Sequence, residues 1–128
     1  MAKLVAVLAL AALALLVSGA AGSPVVRDSA CPRGALPLAG INPIGPATAV
    51  ALRMVPAKER PQVRGANFAW PDVQRGGQIR YRCGAEAARR TIIVYILRRA
   101  YLPALSASTG VYFVSRFANG YRVWQVAH

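Results

Sequence analysis

The chain has 128 residues, 55% of them hydrophobic, with 16 Lys and Arg against 4 Asp and Glu and a formal net charge of +12. That length suits one domain, with enough chain for a modest core. A charge of this sign favours membrane surfaces, acidic polymers or nucleic acid as partners, and fourteen of the basic residues are Arg.

Lys3 gives a positive start, Leu4–Val17 is an unbroken apolar run, and Ser18, Gly19, Ala20, Ala21, Gly22 and Ser23 are small. This three-part layout predicts a secretory signal peptide over residues 1–22, cut before Ala21 or before Ser23. The alternative is an uncleaved anchor, since the run is near the lower end of a spanning length. A lipoprotein is excluded because Cys31 lies well past the run, behind Arg27 and Asp28. The expected location is secreted or in a cell envelope, with no membrane span after cleavage.

Export sets how the two cysteines are read. In an oxidising compartment Cys31 and Cys83 pair as one disulfide. A metal site or catalytic thiol lacks support: there is no CxxC, and the only His is His128. No metal or other cofactor is expected.

Residues 23–46 read as a Pro/Gly-rich arm, punctuated by Pro24, Pro32, Pro37, Pro43 and Pro46 with Gly34, Gly40 and Gly45 between them. Residues 47–128 then form a small domain. In 47–55, Ala47, Val50, Ala51 and Met54 make a helical stripe, Pro46 suits a first turn and Pro56 a stop. A short helix is expected there, with a strand as the alternative. Residues 56–76 read as a loop with a short extended piece at Asn67–Trp70.

From residue 78 the pattern turns β-like. Gln78–Cys83 alternates, with Ile79, Tyr81 and Cys83 inward and Arg80 and Arg82 outward. Gly84–Arg90 is a connector, and Thr91–Leu97 is a continuous β-branched and aromatic run that suits a central strand covered on both faces. Val111–Phe117 and Tyr121–Ala127 flank Asn119-Gly120, the signature of a tight hairpin turn. That turn predicts Phe117 opposite Arg122, Ser115 opposite Trp124 and Phe113 opposite Val126. The fold class expected is α+β: one short helix on a four-stranded antiparallel meander with a single disulfide. The alternative is a small β-sandwich, if 47–55 is a strand.

Catalytic constellations are not legible. Asp28, Glu59, Asp72 and Glu86 are isolated, and GxSxG, HExxH, Walker and GxGxxG patterns are missing from the sequence. No enzyme is expected. Gly110–Phe117 faintly echoes the aromatic strand of an RNA-recognition module, but Thr109 stands where a basic residue belongs and the hairpin buries Phe113 and Phe117. Nucleic acid is not the expected partner.

What remains is arginine. Arg80 and Arg82 share a strand face, and Arg89-Arg90 and Arg98-Arg99 bracket the central strand. Arg80, Arg82, Arg98 and Arg99 are the candidate anion-binding set, with Tyr81, Tyr95, Tyr101 and Tyr112 placed to add cation–π contacts. The expected function is a small exported basic domain, non-catalytic, binding an anionic surface polymer, polysaccharide or lipid headgroups. The competing view of the same residues is a solvated sheet face whose charges block edge pairing. The alternative function is an enzyme or small-ligand carrier with a pocket on the concave face of the sheet.

Overall fold

The computed structural model describes residues 30–102 and 108–127. The expected signal peptide, 1–22, and the start of the arm, 23–29, lie outside them. Four antiparallel strands follow one another across the sheet in chain order: β1 (Pro61–Phe68), β2 (Thr91–Arg98), β3 (Thr109–Phe117) and β4 (Gly120–Ala127). Among the described residues, the α-helices α1 (Ile44–Arg53), α2 (Arg75–Cys83) and α3 (Ala85–Arg89) accompany them. The α+β meander is therefore present, and the helix α1 removes the sandwich reading.

α1 begins earlier than the stripe suggested. Pro46 sits in its first turn, where the missing N–H has no intrahelical partner to lose. Ala47 and Ala51 are buried against the sheet, joined by Val55 from the following turn. Met54, expected inward, is exposed at the C-cap of the helix.

β2 organises the rest. Ile92, Val94 and Ile96 point to one face and Ile93 to the other, since successive strand residues alternate. The first face packs with Tyr112 and Val114 of β3 beneath α1, and Leu38 of the arm closes it. The second packs with Val111 and Phe113 against Ile79 of α2 and Ala88 of α3. Burying each of these branched side chains is worth about 1.5–3 kcal/mol, so both faces contribute heavily.

Polar groups inside this core are paired in a chain. Trp124 Nε1 donates to Ser115 Oγ at 3.1 Å, Ser115 lies 3.2 Å from Thr91 Oγ1, and Thr91 donates to the Ala87 carbonyl at 2.6 Å. Because the Thr91 proton is committed to Ala87, Ser115 must donate to Thr91, and every hydroxyl in the chain is used.

Two expectations fail. The first strand of the sheet is Pro61–Phe68, inside the expected loop; it takes in Asn67 and Phe68 of the expected extended piece, while 69–71 form a turn. β1 is an edge strand with Pro61 at its start and a bulge at Arg64, so it carries no clean alternation. Gln78–Cys83 is not a strand but lies within α2. Ile79 and Cys83 face inward in either reading, because a four-residue spacing is in phase for both periods. Tyr81 separates the two: inward on a strand, it is 83% exposed on the helix.

The hairpin forms, with its two-residue turn one position earlier than expected. Phe117 faces Gly120, so Ala118 and Asn119 make the turn, and Ser115 faces Arg122 in place of Trp124. A bulge then shifts the register, leaving Phe113 opposite Gln125 and Tyr112 opposite Val126. Val126, expected in the core, is exposed as a result.

α2 buries little and is held by other means. Asp72 Oδ1 accepts the N–H groups of Arg75 at 2.8 Å and Gly76 at 3.2 Å, satisfying donors that the first turn leaves open. Gly76 lies against the Ala69 backbone, where a Cβ would collide with the carbonyl oxygen and sit 2.8 Å from the carbonyl carbon. At its other end the Cys31–Cys83 disulfide, with Cα atoms 5.5 Å apart, ties the helix to the arm. The bridge thus reaches a helix and not the expected first strand. The arm is fixed further by Leu36 N–H to the Arg116 carbonyl and Arg90 Nη1 to the Ala35 carbonyl, both 2.7 Å.

Two outcomes test this account. Gly76→Ala should lower unfolding free energy by about 2 kcal/mol, the cost of forcing two packed backbones apart, read by urea denaturation. Reducing the disulfide, which spans 52 positions, should cost about 4 kcal/mol in the same measurement.

Candidate anion-binding site

The site grows out of the turn after β1. Ala69 N–H donates to the Thr91 carbonyl at 3.0 Å, and the Asp72 N–H returns to the Ala69 carbonyl at 3.1 Å. Ala69 is buried and pinned, so Trp70 and Pro71 are pushed outward. Trp70 is 38% exposed and Phe68, at the strand end, 41%.

Two guanidinium groups converge on the Trp70 ring. Arg89 of α3 lies 4.1 Å from its centroid and Arg80 of α2 lies 5.1 Å away. Each contact is worth about 0.5–1 kcal/mol at an exposed site, enough to orient the side chains. Phe68, Trp70, Pro71 and Arg89 line a shallow open groove of about 460 Å³. Glu86 is the nearby carboxylate, and it is shared by Arg89 at 2.7 Å and Arg90 at 3.4 Å. Such exposed pairs contribute little, and the surroundings keep an excess of positive charge.

The four sequence candidates do not come together. On a helix, residues two apart point about 200° apart, so Arg80 and Arg82 leave α2 on opposite flanks. Arg82 lies over its neighbour Tyr81, 5.4 Å from the centroid. Arg98 is seven residues along β2 from Thr91, on the order of 23 Å from the Trp70 end of the sheet. There it pairs with Glu59 at 3.6 Å and covers the Tyr101 ring at 4.7 Å, with both charged side chains largely buried. Arg99 binds the Arg60 carbonyl through its N–H and Nε, both at 3.2 Å, closing the open end of β1 and β2. Arg98 and Arg99 are thus built into the fold.

Trp70 stood outside the candidate set, and Arg89 entered the sequence reading only as one of the pairs flanking the central strand. Trp70 was legible only as an aromatic in a Pro-rich loop, belonging to no periodic pattern. Its pairing with Arg89 depends on α3 returning to the end of β1, which no local pattern encodes.

The tyrosines near this charge are perturbed. Burial raises the Tyr95 hydroxyl above its usual 10, with Asp72 adding to the shift. Burial likewise raises Tyr112, and the hydrogen bond to Glu59 raises Tyr101, whose hydroxyl donates at 2.7 Å.

No protein-family model, curated protein or solved structure matches this chain.

Because these hydroxyls hold their protons more tightly folded than unfolded, their contribution is complete below pH 10. It is lost as pH rises through the folded values. Unfolding free energy measured from pH 8 to 11.5 should fall above pH 10, and Tyr112→Phe should flatten that fall.

Proposed function

We propose that this is an exported, non-catalytic basic domain that binds an anionic surface, with Trp70, Arg80 and Arg89 at the centre of the contact. The observation that carries the reading is the pair of guanidinium groups held on one exposed indole beside an apolar groove. Oriented cations beside a flat apolar floor suit a ligand with anionic groups on a partly apolar body. The net charge of +12 supplies long-range attraction.

Export is supported by the positively started apolar run at Leu4–Val17 and by a disulfide, which persists in oxidising compartments. Among the described residues, no helix is long and apolar enough to cross a membrane. A carrier with its pocket on the concave sheet face is disfavoured because apolar clusters fill both faces of the sheet.

The binding prediction separates the arginines. Affinity for dextran sulfate and for anionic vesicles should fall steeply between 50 and 300 mM salt, as for any contact built on exposed charges, by about ten-fold or more. Arg80→Gln with Arg89→Gln should lower it at least ten-fold at low salt. Arg99→Gln should leave it within two-fold, and Arg98→Gln should lower the unfolding midpoint while sparing affinity. Salt-independent binding, or no effect of the double substitution, would overturn the proposal.

A further inference from the structure

We infer that the loop Phe68–Val73 inserts into the interface of an anionic phospholipid bilayer. This rests on the anionic-surface reading and names the surface. Phe68, Trp70, Pro71 and Val73 are exposed, and Val73 is 83% so. The loop's one acid does not interrupt them. Asp72 turns back toward the protein, where Oδ1 takes the Arg75 and Gly76 N–H groups and Oδ2 takes Asn67 Nδ2 at 3.4 Å. The exposed side chains of the loop are therefore apolar, and Arg80 and Arg89 lie over the Trp70 ring.

An apolar tip backed by guanidinium groups matches the order of a bilayer boundary, acyl chains beneath anionic headgroups. Trp at the headgroup level and cations just above it are the usual anchors of proteins that lie on membranes. A polysaccharide or phosphate-rich polymer satisfies the arginines equally well, but it is hydrated throughout and offers Val73 nothing. The exposed Val73, in the same loop as Trp70, is what favours lipid. The loop is also rigid: the Ala69 hydrogen bonds, the Asp72 cap and the close approach of Gly76 hold it in place. Insertion then costs little ordering.

The test uses the exported protein with vesicles containing 30% phosphatidylglycerol, some carrying brominated acyl chains, and dextran sulfate as the polymer. Wild-type protein should bind the vesicles and its emission should be quenched by the bromines. Trp70→Phe should abolish most of the quenching, with the half-buried Trp124 as the internal reference. Val73→Asp should weaken vesicle binding about ten-fold while binding to dextran sulfate stays within two-fold, and each of Arg80→Gln and Arg89→Gln should weaken vesicle binding about five-fold. Vesicle binding without acyl-chain quenching, or unaffected by Val73→Asp, overturns insertion and leaves the anionic-surface reading intact. Binding to dextran sulfate but not to vesicles does the same. Binding to neither overturns both.

Discussion

A strand with apolar side chains on both faces has to be covered twice. Thr91–Ile96 is such a strand, buried at nearly every position, and the molecule is arranged around that demand. α1 meets it on one side with two alanines that let the helix approach closely, and Val55, Ile44 and Val50 fill the margins. α2 and α3 meet it on the other with little more than Ile79 and Ala88. The two covers are unequal, and the local features of the molecule follow from the weaker one.

Nine residues of α2 bury one large apolar side chain, which does not offset the entropy of ordering them. The deficit is met at both ends. Asp72 caps the start, Gly76 removes the side chain that would hold the helix off the Ala69 backbone, and Cys83 bonds to the arm. The same restraints place Arg80 over Trp70. Stabilising the second cover and presenting the arginine-flanked indole are therefore one arrangement, and the candidate site is a consequence of how a marginal helix is fastened.

The opposite end of the sheet shows what the remaining arginines do. Arg98 pairs with Glu59 beneath Tyr101, and Arg60 and Arg99 exchange hydrogen bonds across the mouth of β1 and β2. A count of basic residues cannot tell a fastening from a binding group. The distinction depends on whether the pairing is buried, as between Arg98 and Glu59, or exposed, as between Arg89 and Glu86, and burial is decided by segments far apart in the chain.

The central strand, the first helix, the hairpin and the disulfide were all legible from residues alone. Each rests on a local or pairwise signal strong enough to survive packing: a β-branched run, a helical stripe between prolines, a turn dipeptide, two cysteines. The edge strand was hidden because a half-solvated, bulged strand needs no alternation. α2 was misread because Ile79 and Cys83 are in phase for a strand and a helix alike, and six residues do not separate the two periods. The hairpin register moved because the turn formed at Ala118-Asn119, one residue before Asn119-Gly120, and the bulge at Trp124, which packs on Phe113 at 5.3 Å, then shifted the pairing again. Composition and short-range pattern thus establish a small, basic, disulfide-linked α+β chain. Which arginines are presented, and the fact that Trp70 stands between two of them, arises only when α2 and α3 fold back over β2, because cation–π contacts are made through space by residues that share no periodicity.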